Sequence, residues 1–183
     1  MPKTIHIPAI DIFDEELYQF VTTKPTDITV EHSLISLSLW EAKWHISFLS
    51  ASEKNELTTE QIQSYLEFMT IGRKPDPNVY KYMPIECVEE IFRYIADPQT
   101  ATTISGTHKT PFHPIITNEV LYYQMCAYQI PFDPCEKWHL NRLITLIRVC
   151  EEKNNPKKKS KQETAMDYAR LNEMRRAKYH TKG

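Results

Sequence analysis

The chain has 183 residues, of which 41% are hydrophobic, 11% aromatic and 25% charged, enough apolar material for one globular domain and too much for a wholly disordered chain. Only three glycines are present, which excludes a glycine-rich phosphate-binding loop or a dinucleotide fingerprint, because both need several glycines within a few residues. The formal net charge of −2 hides an asymmetry: residues 151–183 hold ten Lys and Arg against five Asp and Glu, or +5, so residues 1–150 carry −7.

In chain order, Ile5, Ile7, Ile10 and Ile12 lie among Pro2, Pro8 and Pro25, with a short acidic helical signal over 14–20. Proline cannot donate to a central ladder, so residues 1–26 read as an extended N-terminal arm or edge strand. From Asp27 the alternation of Ile28, Val30, Leu34, Ile35 and Leu37 predicts one or two strands. Ser38 is placed to cap a helix to Trp44, on which Trp40 and Trp44 share a face at i, i+4. Thr58 with Gln61 forms a capping-box pattern opening a helix over 59–70.

Pro84 suits the start of a helix whose buried stripe is Val88, Ile91, Phe92 and Ile95. Residues 98–114 are Thr- and Pro-rich and read as a loop or small hairpin. Thr117 starts another helix, stopped before Pro131. Asp133, Pro134 and Glu136 then open a helix to about residue 152, apolar nearly all round, which is expected to be the central helix of the core. After Pro156 come Lys157, Lys158, Lys159 and Lys161 and a polar helical segment over 162–178. The expected fold is mainly α (α+β with a small N-terminal β element): a compact helical domain over 27–154 with a long central helix, followed over 155–183 by a basic flexible linker and C-terminal helix.

The four cysteines form no CxxC pair, and the N-terminus shows no basic segment followed by an apolar run, so reduced thiols in a cytoplasmic protein are expected. Cys135 with His139, and His108 with His113, are the nearest approaches to a metal site, but a structural zinc site gathers four ligands in two tight pairs. No cofactor or metal is expected. Cys126 or Cys150 could be drawn with His139 as a nucleophile pair, but nothing brings them together, and adjacent carboxylates such as Glu89 and Glu90 point about 100° apart on a helix. A non-enzymatic role is the expectation. The basic tail could contact nucleic acid phosphates, yet the acidic body opposes this and no aromatic residues interleave the lysines. The expected protein-binding residues are Trp40, Trp44, Tyr80, Tyr82 and Arg142 with the tail cations Lys157, Lys158, Lys159, Arg175 and Arg176; Arg142 could instead pin the fold through a carboxylate.

Three segments carry a resemblance. The run Ser36-Leu37-Ser38-Leu39-Trp40-Glu41-Ala42-Lys43-Trp44-His45-Ile46-Ser47-Phe48-Leu49, followed by the helix to Thr70, resembles the N-terminal signature of tail assembly chaperones of long-tailed bacteriophages. The block Ile130-Pro131-Phe132 followed by residues 135–150, with its Trp138-His139-Leu140-Asn141-Arg142-Leu143 core, is similar to the same proteins, as is the ending Leu171-Asn172-Glu173-Met174-Arg175-Arg176. The resemblance implies a non-enzymatic protein that binds the tape-measure protein in the host cytoplasm during phage assembly and assists polymerisation of tail tube subunits around it. It implies no catalytic residue, and it leaves open a homo-oligomer and a longer form made by frameshifting. The alternative is a structural virion protein of the tail, neck or baseplate, and behind it a small nucleic-acid-binding regulator.

Overall fold

The structure, a computed structural model, describes residues 1–15, 18–102, 115–154 and 161–179. The chain divides into two compact units, Met1–Val149 and Cys150–Gly183. The first begins with four strands, β1 (Lys3–Ile7), β2 (Ile10–Asp14), β3 (Gln19–Thr23) and β4 (Thr26–Val30). β1 pairs antiparallel with β4, Ile7 opposite Thr26, and β2 with β3, Ile10 opposite Thr23. Both pairings follow one register, which sets Pro8 opposite Pro25. The four strands are therefore one long hairpin, interrupted at the rung where two residues without an N–H face each other.

The arm expected over 1–26 is thus part of the body. Prolines that argue against a strand when read singly interrupt the ladder for only two rungs, 8/25 and 9/24, when they are opposite each other. Ile5, Ile7, Ile28 and Val30 are each 1% exposed or less and form a wall of the core. The opposite face carries polar pairs, with Thr4 and Thr29 hydroxyls 3.2 Å apart and His6 Nδ1 2.6 Å from the Asp27 carboxylate.

The expectation of a mainly α chain whose β part is only a small N-terminal element is therefore corrected: among the described residues the fold is α+β, with five strands in two antiparallel sheets, the larger of which supplies a core face. Helix α1 (Leu34–Trp44) is capped by Ser33, whose hydroxyl accepts the Ser36 N–H, so Leu34, Ile35 and Leu37, expected on a strand, lie on a helix and Ser38 lies inside it. Helix α2 (Phe48–Glu53) is capped by Ser47, and α3 (Thr59–Met69) carries the expected reciprocal capping box of Thr58 and Gln61. Thr58→Ala is expected to cost about 1 kcal/mol, read as a lower urea midpoint at unchanged slope. α3 runs into β5 (Thr70–Ile71), which pairs with β4. Gly72, at φ +80°, then turns the chain in a conformation other residues rarely adopt.

Helices α4 (Pro77–Lys81) and α5 (Ile85–Ala96) follow. α5 packs against β1, where the Tyr94 hydroxyl donates to the Met1 carbonyl at 3.0 Å and Lys3 pairs with Glu90 at 2.8 Å. Its buried residues are Cys87, Ile91 and Tyr94, so the stripe is rotated from the expected one and Phe92 faces solvent. Helix α6 (Asn118–Ala127) starts at the expected Thr117.

The single central helix expected from Pro134 is two elements, a short α7 (Phe132–Cys135) and α8 (Leu140–Asn154). The chain between them bonds outward: the Leu34 N–H donates to the Glu136 carbonyl at 3.1 Å and the Leu140 N–H to the His32 carbonyl at 2.8 Å. Those bonds tie 136–140 to the start of α1 and divert backbone groups from a continuous helix. α8 buries only Leu140, Leu143 and Ile147, a single stripe at i, i+3, i+7. In the second unit, α9 (Lys161–Tyr179) is the expected basic C-terminal helix, with Met166, Tyr168, Leu171 and Met174 exposed.

Candidate protein-binding surface

The hairpin changes character at its proline rung. Inside it, Ile5 and Ile7 on β1 and Ile28 and Val30 on β4 are buried; beyond it, the buried residues are Ile10 and Asp14 on β2 and Val21 and Thr23 on β3. Side chains alternate strictly along a strand, so the ribbon face that enters the core at Ile5 and Ile28 turns to solvent beyond Pro8 and Pro25. On that face Phe13 and Phe20 are directly opposite each other, their rings edge to face with centroids 5.2 Å apart. They are 44% and 74% exposed, with Tyr18 at 84% in the adjoining turn, while Ile12, 44% exposed, lies on the opposite face of the ribbon with Ile10 and Val21. Phe13 and Phe20, exposed together on one ribbon face beside the turn residue Tyr18, form an apolar patch of the kind that marks an interaction site.

One carboxylate anchors this outer half. Asp14 is buried, and its Oδ2 receives hydrogen bonds from Lys81 Nζ at 3.1 Å and from the Tyr82 hydroxyl. The Tyr82 hydroxyl and then the Asp14 carboxylate raise the Lys81 ammonium above its ordinary value. An isolated two-stranded ribbon is marginal in water, so this anchor should hold β2 and β3 in place. Asp14→Asn is expected to speed amide hydrogen exchange about tenfold in β2 and β3 while leaving β1 and β4 unchanged.

The other expected binding residues are scattered. Trp40 is fully buried, and its indole N–H donates to the Gln61 carbonyl at 2.9 Å; it packs on Phe48 and Tyr65, whose rings stack 3.8 Å apart. Trp44 is half-buried and donates to Ser64 Oγ at 3.1 Å. Tyr80 is buried, while Tyr82 is half-buried and committed to Asp14. Trp40 and Tyr80 are thus core residues and are removed from the expected surface. Arg142 is exposed and lies over the Trp138 ring at 4.1 Å, a cation–π contact in place of the expected carboxylate pairing. Arg175 and Arg176 are exposed on α9, and Lys157, Lys158 and Lys159 lie outside the described residues, as do His108 and His113.

Two buried polar centres escaped the sequence reading. Glu41 accepts the Phe48 N–H at 3.0 Å on one oxygen, and the N–H and side-chain amide of Asn118, each at 2.7 Å, on the other. The signal was available: Leu37, Trp40, Glu41 and Trp44 share one helical stripe, and an acid on an apolar stripe requires donors. Beside it, a groove of about 980 Å3 runs past Ile46, Leu49, Ile116, Glu53, Glu56 and Glu119.

The second centre is a histidine pair. His32 and His139 are both buried, with ring centroids 5.1 Å apart. His32 Nδ1 is 2.7 Å from the Tyr65 hydroxyl. His139 donates through Nε2 to the Tyr94 carbonyl at 3.0 Å, and its Nδ1 accepts the Asn141 N–H at 3.3 Å, which fixes a neutral imidazole. Burial, and then the neighbouring His139, push His32 down to about 3; burial also lowers His139. Cys135 and His139, expected on one helical face, do not share a helix: Cys135 ends α7 and His139 lies in the break before α8. Among the described residues, no three His, Cys, Asp or Glu side chains gather as metal ligands.

Comparison with protein-family models, with curated proteins and with solved structures finds no match for this chain. Among the described residues, no helix is long and apolar enough to cross a membrane.

Proposed function

We propose that this chain is a non-enzymatic assembly chaperone of the bacteriophage tail type, which binds the tape-measure protein in the host cytoplasm and keeps its apolar helical segments from aggregating while the tail tube forms. The carrying observation is the outer hairpin, where Ile12, Phe13, Tyr18 and Phe20 stand in solvent on a paired, anchored ribbon. Rigid aromatic side chains supply contact area at low entropic cost, the property a chaperone needs to cover an exposed apolar helix face. The resemblance of residues 36–49, 130–150 and 171–176 to tail assembly chaperones supports the same reading.

The test is co-expression with the tape-measure protein of the same genome, followed by affinity capture and mass spectrometry of purified virions. Capture of the tape-measure protein, with the chain missing from virions, is expected. Stoichiometric presence in the particle would replace the reading with a structural tail, neck or baseplate subunit.

A further inference from the structure

We propose that the outer half of the hairpin, β2 with β3, docks a positively charged protein segment that carries apolar side chains among its Lys and Arg residues. The inference rests on the reading that this chain binds a partner protein, and it names the chemistry of what is bound. Between residues 10 and 23 the sequence holds Asp11, Asp14, Glu15 and Glu16 and no Lys or Arg. Asp14 is consumed by Lys81 and Tyr82, while Asp11 and Glu15 are exposed around the Phe13–Phe20 pair. An apolar centre with an acidic rim selects a partner that presents the opposite charge around an apolar stripe, because rim charges steer encounter and reject like-charged competitors.

The same charges argue against a second copy as the occupant. Packing the Phe13–Phe20 faces of two copies against each other would bring two acidic rims, each with Asp11 and Glu15, together, a like-charge juxtaposition that disfavours the pairing. The aromatic pair is already formed in the free chain, with its two rings in edge-to-face contact. Docking therefore orders few side chains, and the affinity should depend on Phe13 and Phe20 directly.

The experiment uses the full chain and two labelled synthetic peptides of one pattern, Leu with Lys and Leu with Glu, followed by fluorescence anisotropy. The Lys peptide is expected to bind and the Glu peptide not, and binding should weaken about tenfold when salt is raised from low to several-fold physiological strength. Phe13→Ser with Phe20→Ser, and separately Asp11→Lys with Glu15→Lys, should each weaken binding about tenfold or more, the typical size of losing a central interface anchor or reversing rim charge. Because all four side chains are exposed, circular dichroism and the thermal midpoint should stay close to those of the native chain, which separates lost docking from lost folding.

Equal binding of both peptides, or undiminished binding by the double Phe variant, overturns the proposal. Dimerisation in sedimentation that disappears with the same Phe variant, without peptide binding, makes a second copy the occupant and overturns it too. Capture of the tape-measure protein provides the separate control. If the double Phe variant still captures it, the docking inference fails and the chaperone reading stands; if the native chain binds the Lys peptide but not the tape-measure protein, the chaperone reading fails.

Discussion

Glu41→Ala is expected to lower the unfolding free energy by about 4 kcal/mol, a large part of the 5–15 kcal/mol typical of a single domain. The side chain is buried and receives three hydrogen bonds, two of them from the first backbone N–H groups of α2 and α6. Thr117, the N-cap of α6, makes no side-chain capping bond, so Glu41 supplies from α1 the acceptor that the local sequence does not. Truncation to Ala leaves those donors facing apolar surroundings, each costing about 1–3 kcal/mol less whatever water recovers. Glu41→Gln keeps the shape but turns an NH2 group toward a donor, and should cost roughly half as much. Urea unfolding followed by fluorescence of the nearby Trp40 and Trp44 measures both, and an Ala variant within about 1 kcal/mol of the native chain would show that the carboxylate does not join these helices.

What could be read from the sequence divides along the range of the interaction. The Thr58–Gln61 capping box, the start of α6 at Thr117 and the extent of α9 depend on neighbours three or four residues away, and each lies where the residue pattern places it. The hairpin depends on pairing residue 3 with residue 30, and no local propensity shows that Pro8 and Pro25 fall on one rung. A reading that looked for strands symmetric about residues 16 and 17 would have found both prolines equidistant from the centre. The break before Leu140 is likewise non-local, set by bonds to His32 and Leu34 more than a hundred residues earlier in the chain. For the candidate surface, counting aromatic residues pointed to contact but included two core residues and passed over the hairpin pair. Trp40 and Tyr80 satisfy the core, while Phe13 and Phe20, in a segment read as an arm, reach solvent as a cross-strand pair.

Acid should begin to destabilise the first unit before its carboxylates titrate. In an unfolded chain histidine titrates near 6.5, whereas folded His32 is pushed down to about 3 and His139 is also lowered, so the unfolded state binds more protons throughout that interval. The stabilisation from burying these rings neutral is complete above pH 6.5 and is lost as pH falls, by about 1.4 kcal/mol per pH unit for each histidine until its folded-state value is reached. For His32 alone the whole span amounts to about 5 kcal/mol. The groups in contact with the pair are uncharged, Tyr65 presenting a hydroxyl to His32 and Tyr94 an edge-to-face ring and a carbonyl to His139, and the Asp97 carboxylate offsets only part of the burial effect on His139. Glu31, whose carboxyl is raised by burial, works in the opposite direction nearer its own range, so the histidine contribution is read most cleanly between pH 6.5 and 5.5. His32→Asn keeps an acceptor for the Tyr65 hydroxyl and cannot charge; it should be less stable at pH 7 yet lose stability more slowly on acidification, by about 1.4 kcal/mol per pH unit. Urea midpoints for the native chain and this variant across that interval decide the matter, since a flat native profile would mean that the pair is already charged, or free to charge, in the folded protein.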